Sequence, residues 1–399
     1  MYSIAVIGAG ASGIAAAIAA KRENPKLTVA LIEALPRIGK KILATGNGRC
    51  NLTNLNASPE YYNSTFTKNI LSEFTSQAVI DFFASIGLRC VCDSEGRVYP
   101  MSNTASSVLD CLRFETERIG IDVITDTRAE TIENRNGIFI INGSFQAQKL
   151  ILALGGKASP SQGSDGSGYK LLKTLGHSIT PVFPALVQLC VKENIKALKG
   201  VRVKADVKLV LNKNIIDSSR GEVLFTDYGL SGIAVMDVSR NVKDGKYSCI
   251  LDILPSLEKS ETVNFLAERK KQNPHLSADN TLSGILPKKA GQYVLRVCGI
   301  KENTELGNLS SAQLGIVAGC IKNLCFEITG TNGFNNAQIT SGGAQLKEFD
   351  SSTLESKKIK NLYCTGELLD VDSVCGGFNL HWAWASGLTA GRNASNQAK

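Results

Sequence analysis

Two stretches of this chain combine residue types and spacings that can do chemistry. Gly8, Gly10 and Gly13 form a G-x-G-x-x-G pattern, with Ala11 and Ser12 before the third glycine, and Glu33 follows downstream with Ala34 beside it. In a turn leading from strand to helix, the first glycine permits the tight turn and the second lets backbone approach a pyrophosphate. The third allows close helix packing, so that the phosphate meets the helix N-terminus. An acid about 20 residues on accepts hydrogen bonds from adenosine ribose hydroxyls and disfavours a 2′-phosphate. The second stretch is GKKILATGNGRCNLTN, residues 39–54. It places Gly46, Gly48, Lys40, Lys41, Arg49, Cys50 and Asn51 together, joining backbone freedom, positive charge and a thiol. Such a loop suits close passage beside phosphates and an electron-rich ring, with asparagines fixing its turns.

The elements that must position these residues are legible around them. An apolar strand (Ser3 to Ile7) runs into the glycine turn, an alanine-rich helix follows to about Glu23, and LTVALIEA makes a second strand: a βαβ beginning. Helix-period segments span 76–86 and 106–119, and ENRNG sits in a hairpin near 129–145. KLILALGG is an apolar strand ending at Gly155 and its neighbouring glycine. From about 187 to 252 the pattern is β-rich, from about 257 to 325 helical and basic, and near 337 the glycine-rich α/β character returns. The expected layout is nested. Segments 1–186 and 337–399 form one nucleotide-binding domain, interrupted by a β-rich insert (187–252) and a helical insert (253–336).

Composition bounds the class. The 399 residues are 43% hydrophobic and 20% charged without a long biased tract, which describes a globular chain. No apolar run reaches the ~20 residues that span a bilayer. The N-terminal stretch lacks a basic leader region and carries the nucleotide pattern, so a cytoplasmic location is expected. Eleven cysteines, odd in number and without C-x-x-C spacing, read as reduced thiols, and three histidines without a Cys/His cluster give no metal site. The net charge of +8 is compatible with a polyanionic partner without being diagnostic of one. Residues 265–301 hold seven bases against two acids.

The late block LYCTGELLDVDSVCGGFNLHWAWASG favours FAD over a simple NAD site. Gly366 and Glu367 close a strand, where a carboxylate can hold ribitol-side hydroxyls. Gly376 and Gly377 open a helix whose positive end can face the flavin N1 and C2 carbonyl. Trp382 and Trp384 read as core residues of that helix. GSDGSG at 163–168 has the wrong glycine order for a second fingerprint, so NAD(P)H, where used, docks transiently.

GAGASG, GKKILATGNGRCNLTN, LALGGKASPSQGSDGSGYKLLKTLGH, GEVLFTDYGLSG and the late block together resemble the YhiN-like, aminoacetone-oxidase-like flavoprotein family, over essentially the whole chain. The resemblance implies an α/β fold: a Rossmann-like FAD-binding domain interrupted by an insert with a β-barrel-like and a helical part. It implies that Gly8, Gly10, Gly13 and Glu33 hold ADP and that Lys40, Lys41, Gly46, Gly48, Arg49, Cys50 and Asn51 line the flavin side. Ala129, in the TRAETI strand, would meet adenine through backbone, and Gly366, Glu367, Asn379 and Leu380 would lie near ribitol and isoalloxazine. Leu154 stands where the family usually has threonine, which removes a hydroxyl contact but leaves the backbone turn.

Family activities include reduction of uridine in large-subunit ribosomal RNA, reduction of bile-acid enones and oxidation of aminoacetone. The preferred expectation is an FAD-dependent C=C reductase acting on ribosomal RNA uridine. A small-molecule enone or amine is the alternative, and a non-catalytic flavin-bound RNA-binding factor a third. Four residues are candidate proton donors. Cys50 is weakened as an acid because Arg49, Lys40 and Lys41 would stabilise its thiolate, and packing beside the flavin is its other reading. Cys375 precedes the flavin-facing glycines. His381 has a structural alternative in its aromatic helix, and Tyr228 has turn packing as its own. Nothing in the sequence fixes an oligomeric state.

Overall fold

The computed structural model describes residues 1–396. The chain divides into two compact units, Met1–Pro184 with Gln338–Lys399, and Ala185–Ala337.

In the first unit, β1 (Tyr2–Ile7) and β2 (Val29–Ile32) pair in parallel with Ile4 opposite Val29, joined by helix α1 (Ala11–Glu23). Asp122–Ile124 extends the sheet beyond β2, and Phe145–Leu152 lies parallel on the other side of β1. The far edge of Phe145–Leu152 is shared. Its first half pairs with the antiparallel hairpin Ile132–Arg135/Ile138–Ile141, and its second half with Leu362–Cys364 in parallel, Leu362 opposite Leu150. The last four residues of β1 and all of β2 are buried, as expected of parallel strands covered on both faces. The C-terminal helix (Phe378–Ser395) packs on α1 with backbones nearly touching. A Cβ at Gly387 would stand 2.3 Å from the Ser12 carbonyl oxygen, and one at Gly391 would stand 2.1 Å from that of Ala16. The late segment therefore completes the sheet and covers it.

In the second unit, six antiparallel strands close a barrel in the order Leu189–Val191, Gly229–Ser231, Asn214–Phe225, Arg202–Leu211, Tyr247–Asp252, Leu324–Thr331. Val203, Ala205, Val207 and Leu209 point inward at period two. Helices Lys259–Gln272, Lys288–Val297 and Ser311–Lys322 share the barrel's core, in which Leu266, Val294 and Val317 join Val207 and Phe326. One expectation needs correction here. The segment assigned to a helical subdomain (253–336) supplies the closing strand Leu324–Thr331, whose buried/exposed alternation through Leu324, Phe326 and Ile328 is a strand's. Barrel and helices form one unit because the last strand returns to pair both Tyr247–Asp252 and Leu189–Val191.

Candidate functional site

The glycine turn is tight inside and open outside. A Cβ at Gly13 would stand 1.8 Å from the Gly8 carbonyl oxygen, whereas one at Gly10 would meet nothing within 4 Å. α1 begins at Gly10 with no side-chain cap and no acid in its first turn. Its leading N–H groups, which have no partners inside the helix, and the positive end of the dipole are thus left for a ligand. Glu33 is held at the mouth of this turn, accepting from Ala9 N–H at 2.8 Å and from Leu35 N–H at 2.9 Å. A carboxylate has about four acceptor positions, so two remain for ribose hydroxyls. These features fit the ADP half of FAD.

The loop at 39–54 is a 3₁₀ run, Lys40–Gly48, broken at Thr45–Asn47. Its two lysines fasten the segment after Phe145–Leu152. Lys40 Nζ donates to the Ser161 carbonyl at 2.8 Å, and Lys41 Nζ to that of Ala158 at 3.2 Å while pairing with Glu367 Oε2 at 3.0 Å. Glu367 Oε1 accepts from Thr340 N–H at 2.8 Å, and Thr340 Oγ1 accepts from the N–H groups of Lys157 and Ala158. A Cβ at Gly156 would stand 2.4 Å from Thr340 Oγ1 and 2.5 Å from Glu367 Oε1. Gly156 is therefore needed for packing against the Glu367 network, while Gly155 takes a left-handed turn (φ 68°) beside Ser164. Arg49 is exposed, with its guanidinium 4.5 Å from the centre of the Tyr99 ring.

The late block is tied to the same place. A Cβ at Gly366 would stand 2.7 Å from Ser12 Oγ, so this turn abuts the start of α1. Trp382 Nε1 donates to the Gly366 carbonyl at 3.1 Å, and Gly366 N–H donates to Ser386 Oγ at 2.9 Å. The N-cap Gly377 (φ 102°) sits on the opening loop, where a Cβ would lie 2.7 Å from both Asn51 Oδ1 and the Thr53 carbonyl. Asn54 donates to the Gly376 carbonyl, Tyr62 to that of Phe378 and Trp384 to that of Leu52. Asn379 spends its amide bracing the preceding loop, accepting from Ser373 N–H and donating to the Ser373 and Val374 carbonyls. Its neighbour Leu380 is half-buried. Among the described residues, Asn51 Oδ1, Gln162 Oε1 and Ser164 Oγ are buried without a hydrogen-bond partner. All three lie on the two loops that flank this cradle, polar atoms that a nucleotide cofactor could satisfy.

The structure separates the candidate proton donors. Cys50 is fully buried, and desolvation pushes its thiol up to about 12. It is a neutral, inward-facing side chain. Burial dominates at this thiol, and Lys40 and Lys41 are hydrogen-bonded elsewhere. His381 is also fully buried, shares a 2.7 Å hydrogen bond between Nδ1 and Thr53 Oγ1, and is pushed by burial down to about 4. The imidazole is therefore neutral near pH 7. Cys375 is half-buried directly before Gly376. Tyr228 belongs to the second unit, where its hydroxyl accepts from Asn332 Nδ2 at 3.2 Å. Ala129, expected on a strand, lies ahead of Ile132–Arg135 in irregular backbone, because Asn142 Oδ1 takes the N–H groups of Glu130 and Thr131 in place of a ladder. Thr340 and the Lys41–Glu367 pair form one network joining distant parts of the chain, which local spacing does not reveal.

The model of the HI0933-like protein Rossmann domain matches residues 2–393. The chain is 41% identical over 409 residues, covering all of both proteins, to a 3-dehydro-bile acid delta(4,6)-reductase of Clostridium scindens. It is 31% identical to a ribosomal RNA dihydrouridine synthase of Escherichia coli, covering 96% of each. Among solved structures, a quinol-fumarate reductase with menaquinol molecules aligns with a TM-score of 0.51 at 16% identity, covering 99% of this chain and 70% of that one, a likeness of fold. The open phosphate turn, the fixed ribose acid and this end-to-end similarity agree: the chain belongs to the HI0933-like Rossmann-domain family and is a flavoprotein oxidoreductase.

Proposed function

We propose that this chain is an FAD-dependent reductase of a C=C bond conjugated to a carbonyl, acting on uridine of large-subunit ribosomal RNA with NAD(P)H as electron source. One observation carries the chemistry. Relatives matched end to end, at 41% and 31% identity, are named for a bile-acid delta(4,6) reduction and for dihydrouridine synthesis. Both reactions add two hydrogens across a C=C conjugated to a carbonyl. In this reading Gly10, Ala11, Ser12 and Gly13 bind the pyrophosphate and Glu33 the adenosine ribose. Glu367, held by Lys41 and Thr340, meets the ribitol side. Bound FAD supplies a hydride-type, two-electron reductant. The N-terminus of the C-terminal helix favours negative charge beside Gly377. With Cys50 and His381 sealed, the proton for the second carbon comes from Cys375 or from solvent.

The RNA reading rests on basic surface. Within 265–301, Arg269 and Lys270 donate to the carbonyls of Ser283 and Leu309, while Lys271 and Arg296 pair with Glu268 and Glu302. That leaves Lys288, Lys289 and Lys301 exposed to meet phosphates. The higher identity to the bile-acid enzyme favours a second reading, a cyclic enone of steroid type. Deleting the gene and quantifying dihydrouridine in the large ribosomal RNA by mass spectrometry separates them. Loss supports the RNA substrate, and an unchanged level with enone reduction by the purified protein supports the second.

A further inference from the structure

We infer that Tyr61 is the platform on which the flat conjugated segment of the substrate stacks at the flavin end of the cradle, a role that rests on the reductase reading and deepens it. Tyr61 closes the short 3₁₀ turn Pro59–Tyr61 in the first unit. Its ring stacks on that of Phe378, with centroids 4.5 Å apart and planes 13° from parallel. Phe378 is the buried first residue of the C-terminal helix. The Phe378 ring lies in turn against Gly376, where a Cβ would stand 3.0 Å from its Cε2. Tyr61 thus stands one ring away from the Gly376–Gly377 backbone, the helix end that faces negative charge in the proposed reading and beside which the unpartnered Asn51 Oδ1 lies. Even so, Tyr61 remains 41% exposed. Phe378 covers one face of the ring, so the open area is the opposite face and the hydroxyl edge.

This ring is held in place before any ligand arrives. Tyr61 N–H donates to the Ser58 carbonyl at 3.2 Å, and the Tyr61 carbonyl accepts from Ser373 Oγ at 2.7 Å. Tyr62 bridges to Ser373, and its hydroxyl donates to the Phe378 carbonyl at 2.8 Å. Asn63 N–H donates to the Asp372 carbonyl at 3.0 Å. The turn is therefore pinned to the loop that opens the last helix, and a ring fixed in this way loses little freedom on binding. Two other large aromatic side chains are exposed among the described residues, Phe114 on helix Ala105–Arg118 and Tyr228 in the second unit. Of the three, Tyr61 alone is backed by a second ring.

Uracil and a 3-oxo-steroid enone share a planar C=C conjugated to a carbonyl. Such a segment stacks on an aromatic face whatever the polar groups at its edge. Reduction turns two of its flat carbons tetrahedral and puckers the ring. The platform therefore holds substrate better than product.

Binding is measured on the oxidised, flavin-loaded protein, from flavin absorbance changes on titration with a uridine-containing ribosomal RNA fragment or with a 3-oxo-steroid enone. Tyr61→Ala should weaken binding of the probe that the wild type takes by about 10-fold or more, and Tyr61→Phe should hold it within about 2-fold. Tyr61→Leu covers Phe378 without offering an aromatic face, so it should bind as weakly as Tyr61→Ala while keeping its flavin. Equal affinity in wild type and Tyr61→Ala, flavin loss in both the Ala and Leu variants, or a wild type that binds neither probe would overturn the platform. Binding that depends on Tyr61 without conversion to a saturated product would keep the platform and remove the reductase reading. Conversion with binding indifferent to Tyr61 would do the reverse.

Discussion

The cradle of the first unit and the barrel of the second are specified by different kinds of residue. In the cradle, the decisive positions are those where a side chain would collide: Gly13 against Gly8, Gly156 against Thr340 and Glu367, Gly377 against Asn51 and Thr53. In the barrel most of the core is set by the inward members of an alternation, such as Val203, Ala205, Val207 and Leu209, and collisions of this kind fall only at turns such as Gly229 and Gly232. The units also differ in buried titratable groups. The first encloses His177, His381 and Glu348, while the histidine of the second, His275, is 87% exposed. A site with fixed geometry is written in forbidden volume and enclosed polar groups; a scaffold is written in periodicity.

The largest effect that would sharpen this contrast is steric. Gly13→Val should yield protein with more than about 100-fold weaker flavin retention, read from the 450 nm to 280 nm absorbance ratio, because a Cβ cannot fit 1.8 Å from the Gly8 oxygen. Gly315→Ala in the second unit, where a Cβ meets nothing within 4 Å, should keep its flavin. Equal flavin loss in both would break the comparison.

Acid comes next. His381 is held down to about 4 by burial, against an ordinary value near ~6.5, so the unfolded chain binds the extra proton first. Its contribution, about 3 kcal/mol, is fully present above pH ~6.5 and is lost as pH falls toward 4. Glu348 adds to this in the same direction. Burial opposes its ionisation, but Lys358, Ser178 and His177 outweigh that and hold it at about 2, so its stabilisation is lost only as pH falls through the carboxylate range. Flavin fluorescence and total unfolding followed from pH 7 to 4 should show the first unit weakening before the second. The reverse order would contradict the burial argument.

Smaller effects test the ligands. Glu33→Gln should weaken FAD binding about 10-fold, near 1.4 kcal/mol, in an apoprotein titration. An unchanged affinity would remove Glu33 from the ribose. Replacing Lys288 and Lys289 by Glu should weaken RNA binding only a few-fold and lower the salt slope by about two. An unaltered salt slope would detach that surface from RNA.

Much of the cradle was readable because its residues act on near neighbours in sequence. The turn Gly8–Gly13, Glu33 at the end of β2 and the glycines opening the last helix carry their meaning in local spacing. What escaped was non-local. Thr340 matters because it faces Lys157, Ala158 and Glu367, and the Lys41–Glu367 pair joins residues 326 positions apart. Cys50 stands among cations in the sequence, but exposure, which no spacing reveals, decides a thiol's state. The strand Leu324–Thr331 was hidden by the helices before it, since a barrel's closing strand is defined by its partners.

The central claim is that the flavin held by the first unit reduces a conjugated C=C. The most direct test reduces the purified protein anaerobically with NADH or NADPH and then adds ribosomal RNA lacking dihydrouridine, or a 3-oxo-steroid enone, while following flavin absorbance. Reoxidation by one of these, with one saturated product formed per flavin, is the predicted result. A reduced flavin that both leave untouched, and that only oxygen reoxidises, would contradict it.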